Sequence, residues 1–543
     1  MKEFKRIKDP IYGYIQIPVK YMTDIVDTAA FQRLRRILQT SYSPLYSSAV
    51  HNRFVHSMGV YYLGELAARQ LIKEIDKKTS TSLDLSATGE IFKLACLLHD
   101  VGHAPFSHTG ENFYLGVGHD YSQLHYKLAA VIGSQEFEAD IPEDKSQAAA
   151  PHEIVSAIIG LSQYETFFAD TEQKEFFARC ITGYQYSDIQ SEENNLKNCF
   201  ISMLNSKVID VDKLDYLIRD AYITGFDTVN IDYERLLTAI TVAKDTDKYK
   251  IAYEKNAVSV IENVIYAHDA ERKWIQTHPV VLYETYILQH AMSHLSEKMD
   301  GNGKRLFSLE SLSITGQQFD NGICISLLCD DDIIFFMKNM YNSELSQEYF
   351  ERRERRHPVW KSEAEYKVFL LDLASGGTLL EEFEKAMSVT ANYLAKSTDS
   401  WVIDDTLIKK LEGERERINK EDMDQETRKV QLEDKERILR VMHSLQGYAR
   451  DKQMKCNFVV LMASQFGSGF GKADFTATNV VFQMKDGEKI EKFSKIVSSL
   501  NAKEKQRENF FYLFYKRDAD ADTEEIEIDN QEICRKLFKD VVF

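Results

Sequence analysis

LLHDVGHAPFSH, residues 97–108, ends an apolar run at helical spacing on an adjacent imidazole and carboxylate, His99 and Asp100. A helix closing on such a pair can offer a ring nitrogen and a carboxylate oxygen to one cation, and a metal site then needs further donors from elsewhere in the fold. His56 and Asp212 are the candidates of suitable chemistry. A lone His-Asp pair is ordinarily structural. Here, however, the same region holds His103, His108 and His152, and half of the 14 histidines fall between residues 51 and 125. Five of them sit in two short strings, HNRFVH (51–56) and HDVGHAPFSH (99–108).

Around this region the chain reads as helices. Residues 22 to 40 (Ile25, Phe31, Leu34, Leu38) and 57 to 75 (Val60, Leu63, Leu66, Leu71, Ile75) each carry one apolar face at helical spacing. Between them SYSPLYSSAVHNRF reads as a loop that delivers His51, Arg53 and His56 to the second helix. Further apolar-periodic segments near 152–163, 199–220, 231–243 and 257–298 make the first 300 residues predominantly α-helical. Only Pro358 of the eight prolines lies beyond residue 300. Residues 405 to 440 mix both charge signs with spaced apolar residues, which suits a solvated helix or helical hairpin, with a partner-binding helix as the alternative. After them FVVLMASQF, NVVFQM and FFYLFYKR are short β-rich runs. The expected fold is therefore mainly α: a helical core over 1–300 and a smaller α+β C-terminal lobe over 301–543, the latter including the charged segment at about 405–440.

The 543 residues are 44% hydrophobic and 28% charged, which fits a folded chain with at least one large core. A net charge of −18 repels nucleic acid on average, so nucleic acid is not expected as the main ligand and any anion site must be a local basic pocket. Seven scattered cysteines without a close pair fit a reducing compartment, and no stretch reaches a membrane span, so a cytoplasmic location without membrane contact is expected. Several motifs fail on inspection. FGSGFGKA (466–473) has Phe466 and Ala473 where a phosphate loop needs Gly and Ser or Thr; HEIVS at 152 lacks a second His; Cys324 and Cys329 have no partner pair; and no G-x-S-x-G elbow occurs.

The order His56, His99-Asp100, Asp212 resembles the HD superfamily of metal-dependent phosphohydrolases. DPIYGYIQI, DTAAFQRLRRILQ, HNRFVHSMGV, HDVGHAPFSH, PHEIVSA and DVDKLDYLIRDAYITG are, in this order, similar to the deoxynucleoside triphosphate triphosphohydrolases, in particular the branch related to the animal enzymes that pair a sterile-alpha-motif domain with an HD domain. The likeness covers about residues 5 to 298 strongly and the tail more faintly, and it starts so near Met1 that no sterile-alpha-motif domain is expected. It implies an HD-domain metallohydrolase core over 1–300 that releases triphosphate from a dNTP. His56, His99, Asp100 and Asp212 would be ligands of a divalent metal: Fe, Mn, Zn or, less readily, Mg. His103, His108, Glu111 and His152 would be catalytic, Glu111 standing where the family has Asp. His152 is the expected proton donor to the leaving alkoxide, with His108 the second choice.

The segment 210–220 also has a plain reading, a surface helix with Asp215 and Arg219 as an i,i+4 pair. The resemblance instead places Lys213 on phosphate and Tyr216 and Asp220 at the sugar, with Arg53 a phosphate contact and Gln39 the reader of the 3′-hydroxyl. His268, Arg272 and Gln276 fill i,i+4 positions where the family holds phosphate and base with Arg, His and Tyr, so the aromatic stack is lost and base preference is open. Lys5, Asp27, Gln32 and Arg35 correspond to an activating nucleotide site between subunits, implying a homo-oligomer, dimer or tetramer; the alternative is capping and pairing along the first helix. The expected roles are nucleotide-regulated lowering of dNTP pools, including antiviral defence. The rival expectations are another HD phosphohydrolase, acting on a nucleotide monophosphate, signalling nucleotide or nucleic acid, and a nucleotide sensor with little turnover.

Overall fold

The computed structural model describes residues 3–111, 113, 121–144, 148–206, 209–226, 230–245, 248–300, 306–320, 322–339, 343–370, 377–397, 400–420, 424–454, 457–463, 478–484, 487–496, 510–517 and 523–543. The fold is mainly α with small sheets. Two compact units emerge, and they interleave along the chain: Met1–Arg272 with His294–Phe336 and Gly467–Glu504, and Lys273–Ser293 with Met337–Phe466 and Lys505–Phe543. The expected boundary at residue 300 does not coincide with this division, because segments from beyond 300 complete the first unit.

In the first unit the longest helix is Arg53–Lys78, started by Asn52, whose side chain accepts from Val55 N at 3.3 Å. Its buried face, Met58, Val60, Leu63, Ala67, Leu71 and Ile75, packs on Leu85–Leu98, which Asp84 caps through Ala87 N at 2.9 Å. A third helix, Val211–Thr224, crosses Arg53–Lys78 at Gly59. There a Cβ would fall 1.9 Å from Asp215 Oδ1 and 2.5 Å from Arg219 Nη2, so any larger residue would displace the Asp215–Arg219 pair. Gly102 plays the same part for the helix Pro151–Gln163, since a Cβ on it would lie 2.4 Å from Ser156 N. These two close approaches bring together residues that lie far apart in sequence.

Several expected elements differ in detail. Residues 22 to 40 are a π turn (Met22–Val26), a short helix (Ala29–Gln32) and a 3-10 turn (Arg33–Arg36), because the Thr28 hydroxyl caps the chain midway. The 199–220 segment divides into Glu192–Leu204 and Val211–Thr224, and 231–243 ends in the strand Ile240–Asp245. That strand pairs antiparallel with Lys248–Glu254, which pairs in parallel with Asn479–Met484, followed by Gly487–Lys492. NVVFQM therefore belongs to the first unit and not to the C-terminal lobe. A hairpin, Phe4–Asp9 with Gly13–Pro18, opens the chain.

The second unit packs helices Gly377–Lys396, Asp405–Ile418, Gln425–Asp451 and Thr523–Val542 on a sheet of His357–Pro358, Phe510–Tyr515 and Val459–Ala463. Trp360, Phe383, Met442, Phe511 and Phe538 lie in its core, and Trp360 Nε1 donates to Phe511 O at 3.0 Å. The charged stretch forms two packed antiparallel helices, tied by Lys435–Glu414 at 2.5 Å. FGSGFGKA (466–473) lies outside the described residues, and the six described cysteines are unpaired. Among the described residues, no helix is long and apolar enough to cross a membrane.

Candidate active site

His56 stands one turn inside Arg53–Lys78, His99 and Asp100 follow the end of Leu85–Leu98, and Asp212 lies in the first turn of Val211–Thr224. Their donor atoms converge. His56 Nε2 lies 3.0 Å from Asp212 Oδ1, 3.5 Å from Asp100 Oδ2 and 3.3 Å from His99 Nε2; His99 Nε2 lies 3.4 Å from Asp100 Oδ1 and 3.7 Å from Asp212 Oδ1. His56, His99 and Asp100 are buried, and Asp212 keeps 39% of its side chain open. The structure thus brings together all four residues expected to hold a metal.

Each imidazole is oriented from behind. His99 Nδ1 donates to Cys96 O at 3.0 Å and His56 Nδ1 to Asp215 Oδ2 at 2.7 Å, so both rings turn Nε2, a lone-pair donor whenever the ring is neutral, toward the centre. Asp215 is held in turn by Arg219 (Nε to Oδ2 and Nη2 to Oδ1, both 2.9 Å) and by the Tyr12 hydroxyl at 2.8 Å, while Arg219 Nη1 reaches Asp9 Oδ2 at 3.0 Å. Burial would lower the pKa of His56, but Asp212, Asp215 and Asp100 outweigh it and raise it to about 10. The point where the donors meet is therefore one that favours positive charge. Two imidazoles with freed lone pairs and two carboxylates are a donor set that fits a divalent transition metal.

A second cluster adjoins the first through Asp100, whose Oδ1 lies 3.2 Å from His103 Nε2. Glu111 gathers the rest: Oε1 is 2.6 Å from His108 Nδ1 and 3.3 Å from His103 Nδ1, and Oε2 is 3.0 Å from His152 Nδ1. Neither ring nitrogen of buried His103 makes a hydrogen bond. At His152 burial lowers the pKa, yet Glu111 overcomes it and lifts the group to about 9; at Glu111 burial raises it, while His152 and His108 drive it well below the carboxylate range. His108 is exposed over 68% of its side chain and His152 over 12%.

The other expected contacts are placed unevenly. Gln39 is buried with Oε1 unpartnered. Arg53 instead donates to Asp100 Oδ2 and Ser107 Oγ, both at 2.8 Å, and Lys213 Nζ is tied at 2.5 Å to Asp210 Oδ2 and Ser206 O. Asp220 accepts from His51 Nε2 at 2.7 Å, and burial pushes the Tyr216 phenol well up. The i,i+4 register expected for His268, Arg272 and Gln276 is broken by a π turn, Arg272–Gln276, and Gln276 falls in the second unit. Lys5 and Asp27 pair at 3.5 Å, Arg35 Nε donates to Gln32 Oε1 at 2.9 Å, and Gln32 Nε2 to Val26 O at 2.7 Å, which is the pairing alternative.

Asp215, Arg219, Tyr12 and Asp9 were not legible as site residues. The Asp215–Arg219 spacing looks the same on a surface as inside, and the only signal was its sharing a helix with Asp212.

Residues 53–181 match the HD domain family, so the chain carries an HD domain. It is 27% identical to the Bacillus subtilis protein YwfO over 56% of this chain and 58% of that one. It is 31% identical to the deoxynucleoside triphosphate triphosphohydrolase SAMHD1 homolog of Dictyostelium discoideum, covering 51% and 47%, and 27% identical to SAMHD1 of Danio rerio, covering 56% and 48%. The chain spans about half the length of these relatives. A crystal structure of a hypothetical protein from Aquifex aeolicus shares the fold, with a TM-score of 0.53 at 18% identity over 98% of this chain and 99% of that one.

Proposed function

We propose that this HD-domain chain is a metal-dependent phosphohydrolase whose substrates are deoxynucleoside triphosphates, cleaved to deoxynucleoside and triphosphate. The observation that carries the reading is the convergence of His56 Nε2, His99 Nε2 and Asp212 Oδ1 within 3.0–3.7 Å of one another, with the two Asp100 oxygens 3.4 and 3.5 Å from the ring nitrogens, beside a carboxylate-held histidine cluster. The SAMHD1 relatives, named as deoxynucleoside triphosphate triphosphohydrolases, supply the substrate class.

His56, His99, Asp100 and Asp212 would hold the cation, which when bound polarises a phosphoryl oxygen and lowers the pKa of water. Asp215 fixes the His56 ring, and Arg53 holds Asp100 in register. Glu111, with Oε2 3.0 Å from His152 Nδ1, overcomes burial and raises the pKa of that ring to about 9, which suits it to give a proton to a leaving alkoxide. His108 shares Glu111 and is the alternative donor. Gln39 Oε1 is the acceptor suited to a sugar hydroxyl.

One observation favours a second reading, hydrolysis of a smaller phosphate ester: the expected phosphate contacts Arg53 and Lys213 are both engaged by protein oxygens. Product release from each of the four dNTPs, singly and in mixtures, with Mg²⁺, Mn²⁺ or Fe²⁺, separates the two. Triphosphate that disappears in Asp100→Ala supports the first reading; orthophosphate or pyrophosphate supports the second. Rescue of one dNTP by another, with a shift to dimer or tetramer in solution, would support an activating site at Lys5, Asp27, Gln32 and Arg35. Lowered dNTP pools and a role in phage defence follow from the same reading and would show as changed pools and phage growth on deletion.

A further inference from the structure

Asp330 begins the helix Asp330–Asn339 in the first unit and is 4% exposed. Neither of its oxygens serves its own surroundings alone. Oδ1 accepts Phe106 N–H at 2.6 Å, 224 residues away in sequence, and Oδ2 accepts Leu38 N–H at 2.8 Å, 292 residues away. Leu38 precedes Gln39, and Phe106 lies two residues before His108. One carboxylate therefore joins the two loops that carry the sugar reader and part of the histidine cluster.

The loop at 101–108 needs such support. Phe106 and Ser107 have φ of 57° and 55°, a left-handed conformation that residues with a Cβ rarely hold unless their surroundings impose it. Besides Asp330, the buried guanidinium of Arg33 supplies that constraint: it donates to Val101 O at 3.3 Å and to His103 O, while its Nε reaches Leu328 O at 2.7 Å. Ser107 Oγ donates to Leu38 O at 2.5 Å and accepts from Arg53 Nε at 2.8 Å, closing the two loops on each other. Leu328 and Asp330 together thus form a clasp across both loops, made by a segment that sequence order alone assigns to another lobe.

We propose that Asp330 is a positioning residue, which sets Gln39 and His108 in place by accepting the backbone N–H groups of Leu38 and Phe106. What the positioned residues do rests on the function proposed above; the clasp itself does not. An ionised carboxylate suits the task because it is acceptor-only on both oxygens, and the Leu38 and Phe106 N–H groups favour that form against the burial that raises the Asp330 carboxyl to about 7, whereas an amide offers one acceptor and one donor group. Asp330→Asn accordingly keeps one of the two bonds, and Asp330→Ala keeps neither.

Three measurements on the full chain test this: amide hydrogen exchange at 38–39 and 101–108, metal-to-protein ratio after Mn²⁺ loading and dialysis, and the separate kcat and KM for dNTPs. Exchange at Leu38 and Phe106 should accelerate at least tenfold in Asp330→Ala and at one of the two sites in Asp330→Asn, with metal content unchanged. KM should rise at least threefold through Gln39 and kcat fall at least tenfold through His108. A merely structural role would lower metal content and kcat together and leave KM alone, and that pattern would overturn the proposal. So would unchanged exchange at both amides in a folded Asp330→Ala, or wild-type kcat and KM. If the wild-type protein cleaves no dNTP, the substrate reading fails while hydrogen exchange still decides the clasp.

Discussion

His103 and His152 stack with ring centroids 4.0 Å apart and planes 15° from parallel, yet their surroundings drive them to opposite protonation states. Burial opposes charge on both. At His152 the Glu111 carboxylate overrides it and lifts the pKa to about 9, whereas at His103 burial, Arg53 and the neighbouring His152 all act downward and hold the ring neutral. Two touching groups pushed apart in this way are the pattern of a divided acid and base assignment.

On the proposed function, the pH dependence of turnover would follow from His152. Its pKa is raised, so the protonated form is complete below the ordinary histidine value of about 6.5 and is lost as pH rises through about 9. The same window holds for its contribution to stability, which is present at the acid end and fades toward pH 9. A kcat profile should show an alkaline limb near 9, and Glu111→Gln should move that limb toward acid by about one unit or more. A limb that stays put in Glu111→Gln would assign it to another group.

Asp215 touches no expected substrate, but it fixes the tautomer and direction of His56. Asp215→Ala should weaken metal affinity by roughly 10- to 100-fold, as losses behind a liganding imidazole do. Competition for Mn²⁺ against a chelator of known affinity measures it. Asp215→Asn should fall between the two, since an amide oxygen can still accept from Nδ1.

Gly59→Ala places a Cβ where Asp215 Oδ1 would be 1.9 Å away. The Asp215–Arg219 pair must shift or the crossing of Arg53–Lys78 and Val211–Thr224 must open, costing about 1–3 kcal/mol as overpacking does. Urea unfolding should show a lower midpoint, and dialysed protein should hold less metal than wild type. Retention of both would mean that the helices can slide without disturbing His56.

In the second unit, Trp360 is fully buried and its indole N–H is satisfied by Phe511 O. Trp360→Ala removes that packing and should cost about 3–5 kcal/mol. Denaturant melts followed by circular dichroism check this, the expected sign being a clear fall in the midpoint.

The four converging residues were legible through the order His56, His99-Asp100, Asp212 and its resemblance to the HD superfamily, since by residue type alone a His-Asp pair is ordinarily structural and the segment around Asp212 reads as a surface helix. Their support was not. Asp215–Arg219 is an ordinary helix pair in one dimension, and only the Gly59 crossing makes it an interior pair behind His56. The strand at Asn479–Met484 was visible as β-rich, but its parallel partner Lys248–Glu254 is fixed by long-range packing that no local pattern encodes. The π turn at Arg272–Gln276 likewise escaped a reading that assumed one helical period, and so displaced Gln276 from the face shared by His268 and Arg272.

The parallel pairing of Lys248–Glu254 with Asn479–Met484 bears on how this protein is made. A nascent chain that has left the ribosome as far as residue 300 holds every expected metal donor but exposes the edge of a strand whose partner is still untranslated. The first unit can be completed only after the sequence around 492 emerges, so that edge waits for its neighbour while residues 255–478 are made.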